Sequence, residues 1–232
     1  MPDLTYQGKR MTFRGGRIIF PYQPPTPEPL KLEIVTTSSD QEITIPHLSN
    51  NTFDYTVDYG DGTPYGTVTT YNSPDTIHTY STPGTYILSI QGECDSIYVN
   101  NGPFKTVLSK ILSWGEVGLK RMSFFGCSNL TTIVTDTYTG LTNLQYADSL
   151  FRDCRNLESI PGGLFNSVTT PPTFTYAFRN CSSLTSIPNG LFDSCVNVNS
   201  FLQTFYGCYN LITMPSGLFD YNTGVLNFAG TF

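Results

Sequence analysis

From Leu30 onward, apolar and polar positions alternate in short runs: Leu32-x-Ile34, Ile43-x-Ile45, Phe53-x-Tyr55-x-Val57, Val68-x-Thr70, Tyr86-Ile87-Leu88-x-Ile90 and Ile97-x-Val99. A period of two marks strands with one face on a core, and turn-forming clusters separate the runs. The pattern predicts a β-sandwich of about seven strands over residues 31–101.

After residue 121 the pattern changes to one of 27 residues. Cys127, Cys154, Cys181 and Cys208 stand 27 apart, with Phe124, Phe151, Phe178 and Phe205 three before and Leu130, Leu157, Leu184 and Leu211 three after. Ile133, Ile160, Ile187 and Met214 follow at six after, and in three copies a proline comes next (Pro161, Pro188, Pro215). A fixed period in this range predicts a solenoid over residues 122–232, each repeat burying its apolar face against its neighbours. Phe174, Ala177, Phe178 and Cys181 fall at i, i+3, i+4 and i+7, so the segment before each cysteine is expected to be helical. Leu184-x-x-Ile187-Pro188 is too short for a helix and is expected to be a short parallel strand. Asn129, Asn156 and Asn210, with Ser183 in their register, are expected to bond turn backbone between the two. Residues 102–121, with Val107-Leu108-x-x-Ile111-Leu112-x-Trp114-Gly115, fit an irregular cap plugged by the only tryptophan. Phe232 is in register with Phe205, which leads to the expectation that the gene product continues or that another chain covers this end.

Residues 1–20 hold a small duplication: Thr5-Tyr6-Gln7-Gly8-Lys9-Arg10-Met11-Thr12-Phe13 returns as Thr12-Phe13-Arg14-Gly15-Gly16-Arg17-Ile18-Ile19-Phe20. Each copy reads strand, glycine turn, strand, so a β-meander with turns at Gln7-Gly8 and Gly15-Gly16 is expected. Two readings compete: an anchoring arm (Tyr6, Lys9, Arg10, Phe13, Arg14, Arg17, Phe20) that pairs with a partner's sheet edge, and a floppy leader. Residues 21–30 carry five prolines in the first nine positions and read as a stiff spacer.

Charge refines the picture. Residues 1–20 carry a net +3, residues 21–101 a net −9, and residues 102–232 balance, giving −6 in all. No basic stripe follows the repeats, which argues against nucleic-acid binding. Only 13% of residues are charged and 14% are aromatic, a profile of β-rich extracellular-type proteins. No apolar run suits a signal peptide or a membrane span. A protein assembled inside a cell and later exposed, such as a virion component, reconciles these facts; the alternative is a leader that was removed.

Of the six cysteines, four occupy equivalent rungs and read as buried free thiols rather than disulfides; Cys94 and Cys195 fall off that ladder. No zinc spacing occurs, and no metal or cofactor is expected.

Val57-Asp58-Tyr59-Gly60-Asp61-Gly62-Thr63, then His78-Thr79-Tyr80 and Pro83-Gly84-Thr85-Tyr86, resemble the PKD domain, an immunoglobulin-like fold. The resemblance spans roughly residues 31–100 and implies a spacer or adhesion module without catalysis. Phe-x-x-Cys-x-x-Leu-x-x-Ile-Pro-x-Gly-Leu-Phe resembles the BspA-like leucine-rich repeats of bacterial surface proteins, which also occur in bacteriophage structural proteins. That resemblance covers about residues 105–232 and implies adhesion or protein–protein binding. Copy one departs, with Val134 for proline and Thr135-Asp136-Thr137-Tyr138 for the Gly-Leu-Phe segment. The expected fold class is therefore multi-domain and β-rich: a short β arm, a PKD-like sandwich, then an α/β leucine-rich-repeat solenoid.

Asp58 and Asp61 admit a calcium reading and a turn reading; turn chemistry is preferred because no further carboxylates sit at suitable spacing. His78 fits a structural role better than a catalytic base, and His47 carries no signal. Around the cysteines, Arg152, Asp153, Arg155, Arg179, Asn180, Tyr206 and Tyr209 vary; of these Arg152, Arg155, Arg179, Tyr206 and Tyr209 are the candidate binding residues, since Tyr and Arg dominate binding hot spots. The competing reading is a solvated edge. No nucleophile elbow, phosphate loop or acid–base pair supports an enzyme. The favoured expectation is a non-enzymatic virion-displayed adhesion protein. Residues 1–20 would meet capsid or tail proteins, and the repeats a host protein or glycan, without membrane insertion. The alternative is a bacterial cell-surface adhesin.

Overall fold

The structure is a computed structural model, described for residues 5–6, 9–10, 12–14, 17–19, 26–100, 102–169 and 173–232. The fold is β-rich with almost no helix, and most of its strand pairs are antiparallel.

In the arm, β1 (Thr5–Tyr6) pairs with β2 (Lys9–Arg10), and β3 (Thr12–Arg14) pairs with β4 (Arg17–Ile19). Among the described residues these form two separate antiparallel pairs. The expected turn residues 7–8 and 15–16 lie outside the described residues, as does Phe20.

Seven further strands follow among the described residues: β5 (Leu30–Thr36), β6 (Gln41–Thr44), β7 (Phe53–Asp58), β8 (Gly66–Val68), β9 (Ile77–Tyr80), β10 (Gly84–Cys94) and β11 (Ser96–Val99). Alternation decides their faces: Leu30, Leu32 and Ile34 of β5 and Phe53, Tyr55 and Val57 of β7 all point into the core. Then come the four-residue helix α1 (Phe104–Val107), β12 (Leu108–Ser113) and β13 (Arg121–Phe124). One sheet runs in the order β12-β5-β10-β7-β8, and β6 pairs with β9.

The 101/102 boundary falls between elements that pair across it. β12 lies antiparallel to β5, with Ile34 opposite Leu108 and Lys31 opposite Ser113, while β11 pairs in parallel with β13. Lys110 of β12 also bridges to Thr132 in the first repeat copy. The last residues of the proline-rich spacer are pinned here too. Glu116 donates its N–H to the Glu28 carbonyl at 2.8 Å, and Glu28 donates its own to a Glu116 carboxylate oxygen at 3.1 Å. Gly115 is required at this point: its φ is +63°, and a Cβ would strike Pro29 and Leu30 backbone.

The expected helices before the cysteines are absent, which corrects the α/β reading. In residues 174–181 the N–H groups of Phe174, Tyr176, Phe178 and Asn180 donate to the carbonyls of Ser200, Leu202, Thr204 and Tyr206 in the next copy. Those of Ala177, Arg179 and Cys181 close tight turns three residues back, onto Phe174, Tyr176 and Phe178. Alternate donors thus leave the segment sideways, which a helix cannot allow. Tyr176 and Asn180 hold φ of 61° and 60°, the left-handed region. The apolar period is met by these turns because they too return inward every three or four residues. The segment after each cysteine forms no strand, only isolated parallel bridges such as Ser186 to Thr213.

Side chains stack in columns along the copies. Phe124, Phe151, Phe178, Phe205 and Phe232 follow one another at centroid distances of 5.7, 5.4, 5.4 and 5.6 Å. Phe174, Phe201 and Phe228 form a second column and Phe165, Phe192 and Phe219 a third. Each ring pair adds about 0.5–1.5 kcal/mol beyond its area burial. All six cysteines are buried free thiols. Cys195 is not off the repeat: it stands 27 residues after Val168 and 27 before Asn222, in a second column. Of the asparagine column, only Asn129 bonds backbone, donating to the Thr106 carbonyl. Asn156 and Asn210 are exposed, and no such bond is described for them.

Trp114 closes the start of the stack. It is buried, donates Nε1–H to the Val134 carbonyl at 2.7 Å, and packs on Phe124 and Phe151. This explains the departures in copy one. Tyr138, in register with buried Phe165, is expelled to the surface because the tryptophan fills its place. Asp136 accepts the N–H groups of Gly140 and Leu141 and the Ser167 hydroxyl, holding a turn that Gly163 forms in the next copy.

Candidate functional site

Phe125, Arg152, Arg179 and Tyr206 occupy one position of successive copies, directly after the buried phenylalanines of the first column. Since the residue before each faces the core, these face outward. The Arg152 guanidinium lies over Phe125 (5.0 Å to the centroid) and Tyr176 (5.4 Å). The Arg179 guanidinium lies over Tyr176 (5.3 Å) and Tyr206 (5.2 Å). The result is a continuous row, Phe125–Arg152–Tyr176–Arg179–Tyr206, across four copies. Each such contact contributes about 0.5–2 kcal/mol.

Backbone conformation holds the row in place. Gly126, Asp153, Asn180 and Gly207, the next residues along, all adopt positive φ, which Gly, Asn and Asp tolerate best. Asn180 donates Nδ2–H to Asp153 at 2.8 Å, tying two copies together below the row. Arg152 Nε stands 3.5 Å from Asp153 Oδ2, and the Nε atoms of both Arg152 and Arg179 are buried without a hydrogen-bond acceptor among the described residues. A further pair lies nearby, with Arg121 over the Tyr146 ring at 4.1 Å. Asp148 is half-buried, and burial holds its carboxyl above the usual carboxylate range against the lowering effect of hydrogen bonds from the Thr173 side chain and the Thr175 backbone.

The structure thus brings together three of the five candidate binding residues: Arg152, Arg179 and Tyr206. Arg155 and Tyr209, one place after their cysteines, are exposed and join no ring contact among the described residues. Tyr209 instead lines, with Tyr206, Leu211 and Phe232, a cavity of about 280 Å³. Two members were missed. Phe125 was findable, since it stands on the 27-residue register of Arg152; Tyr176 was not, because Ser149 and Gln203 hold its position in neighbouring copies. Of the arm candidates, Tyr6, Lys9, Arg10, Phe13, Arg14 and Arg17 lie within β1–β4, with Tyr6 opposite Lys9 and Arg14 opposite Arg17.

The remaining candidates are engaged in structure. Asp58 accepts the Gly60 N–H, and Asp61 accepts the Thr63 N–H and hydroxyl on one oxygen and bonds His78 Nε2 on the other. His78 stacks on Tyr59 at 4.0 Å. His47, silent in the sequence, bridges the Ser96 carbonyl and the Tyr55 hydroxyl at 2.6 Å each, and burial lowers its pKa to about 4. Its Nδ1 therefore carries the proton toward the carbonyl, and the neutral Nε2 accepts from tyrosine. Among the described residues no cluster of three or more His, Cys, Asp or Glu can hold a metal ion. What the row can do is present guanidinium and phenol groups to a partner. No family model and no curated protein matches the chain.

Proposed function

We propose that the chain is a non-enzymatic adhesion and display protein of a virion, anchored through residues 1–20 to capsid or tail proteins and meeting its target through the repeats. In this reading residues 31–101 are a PKD-like sandwich, and residues 102–121 cap a BspA-like leucine-rich-repeat solenoid over residues 122–232. The observation that carries the reading is the arginine–aromatic row. Four copies contribute to it, Phe125, Arg152, Arg179 and Tyr206 in register and Tyr176 outside it, and its arginines and tyrosines are residue types that dominate binding hot spots. The strands of the arm are two or three residues long, too short to be stable alone, which suits pairing with a partner's sheet edge.

The alternative, a bacterial cell-surface adhesin, uses the same row and differs in anchorage; among the described residues no helix is long and apolar enough to cross a membrane. Deleting residues 1–20 tests the choice. The expected result is that the shortened chain no longer joins native particles while the full chain does. Retention of the shortened chain on particles, or no association of the full chain, sinks the virion reading.

A further inference from the structure

We infer that the row from Phe125 to Tyr206 is a binding site for a carboxylate-bearing polysaccharide, gripped by the paired guanidiniums of Arg152 and Arg179. The inference deepens the adhesion reading above by naming the ligand chemistry, and it rests on that reading for its biological setting.

Three features of the row point to this chemistry. First, every ring of the row already carries a guanidinium. Tyr176 has a guanidinium from each side of the row over it, Tyr206 has Arg179, and Phe125 has Arg152. A neutral sugar that stacks its face on an aromatic ring finds that face of Tyr176 taken, and what the row offers instead is the edges of guanidiniums and phenols. Second, these edges are donors in need of acceptors. The Nε atoms of Arg152 and Arg179 are buried without an acceptor among the described residues, so what each guanidinium can turn to a ligand is its Nη groups. Among the described residues Arg179 has no carboxylate partner, and Arg152 has Asp153 Oδ2 at 3.5 Å from its Nε while Oδ1 of that carboxylate accepts from Asn180. A planar guanidinium binds a carboxylate through two parallel N–H bonds, the strongest arrangement for such a pair. Two of them, on adjacent copies and sharing one tyrosine, suit a ligand that repeats its acid group along a chain.

Third, the row lacks what an acidic peptide needs. Strand addition requires free backbone donors and acceptors, but Asp153 N–H already bonds the Arg179 carbonyl and Asn180 N–H the Tyr206 carbonyl. A peptide's apolar anchors require a pocket, yet the repeat positions around Tyr176 carry hydroxyl and amide groups (Ser149, Thr173, Thr175, Ser200 and Gln203), and the apolar cavity that meets the row does so at its Tyr206 end. Such a surface pairs with the hydroxyls of a sugar chain. That cavity shares Tyr206 with the row but is lined by neither arginine.

The test uses the full chain and three immobilised polymers: polygalacturonate, its fully methyl-esterified form, and poly-L-glutamate of matching charge. The expected result is binding to polygalacturonate that weakens as salt rises, no binding to the ester, and poly-L-glutamate weaker by about ten-fold. The double variant R152Q/R179Q should stay folded, with a melting temperature lowered by the lost ring contacts, and should lose at least about ten-fold in affinity. R152K/R179K keeps the charge, guards against a folding defect in the first variant, and should still lose several-fold because lysine lacks the fork. No binding to polygalacturonate overturns the inference, as does a lysine variant that binds like the parent. Equal or tighter binding to poly-L-glutamate assigns the row to an acidic protein and overturns it too. None of these outcomes involves residues 1–20, so particle association through the arm stands or falls separately.

Discussion

Cys181 points its thiol at the backbone carbonyl of Phe151, 3.1 Å away and thirty residues earlier. Cys154 makes the same contact with Phe124 and Cys208 with Phe178. The ladder is therefore held by weak S–H donors in a buried column, with no sulfur bonded to another. A thiol-specific reagent at pH 8 should label none of the six cysteines in the folded chain and all of them in denaturant. Rapid labelling of the native chain would contradict the packing.

The same burial sets an alkaline limit. Burial raises Cys127, Cys195 and Cys208 to about 12, whereas an unfolded thiol ionises near 9. Between those values the unfolded chain releases protons that the fold retains. Stability is thus fully present below about pH 9 and falls as pH rises toward 12, by about 1.4 kcal/mol per pH unit for each such thiol. Urea midpoints measured from pH 8 to 11 check the slope; a flat profile contradicts it.

Gln203 holds φ of 50°, at a position where the next copy has Gly230 with φ of 57°. A left-handed non-glycine residue carries about 1–2 kcal/mol of strain. Gln203→Gly should accordingly leave stability unchanged or raise it by up to about 1 kcal/mol. Ala177→Gly, in a buried column with ordinary backbone, should lower it by about 0.5–1 kcal/mol. Paired denaturation curves decide; the same sign for both contradicts the conformational account.

Asp136 anchors the turn of the first copy through two backbone N–H groups and the Ser167 hydroxyl. Removing a charged acceptor from buried donors costs about 1.5–3 kcal/mol. Asp136→Ala should show that loss and Asp136→Asn a smaller one, read by thermal melting. Ala without effect rules out the anchoring role.

β12 pairs with β5 and bridges to the first copy, so residues 30–232 should unfold in one transition. The only tryptophan, Trp114, sits at that junction and gives the probe. Its fluorescence and the far-ultraviolet circular dichroism should change together in denaturant. Two separated midpoints would mean that the junction does not couple the two regions.

The columns of the stack were readable because Phe, Cys and Leu return at one interval and each copy repeats the same environment. Helix was misread before the cysteines because Phe174, Ala177, Phe178 and Cys181 satisfy a helical period and an inward-returning series of turns equally well. What separates the two is the hydrogen bonding from Tyr176 to Leu202, a relation between copies that local spacing does not encode. Leu108 and Ile111 fit a cap as well as a sheet edge, so the pairing of β12 with β5 also escaped. In the row, the arginines stood out by residue type, whereas Tyr176 has no counterpart in other copies and needed coordinates.

The meeting of β5 and β12 also fixes a mechanical property. Lys31, where the chain enters the sheet, lies opposite Ser113, where it leaves for the repeats, and Glu28 and Glu116 are bonded to each other just outside. Tension applied between the spacer and the repeats therefore crosses from one strand to its neighbour at a single end of the pair. Residues 37–107 lengthen the chain only after the Glu28–Glu116 clasp, the β5–β12 pairs and the β11–β13 pairs have all parted: slack held behind a rim of hydrogen bonds.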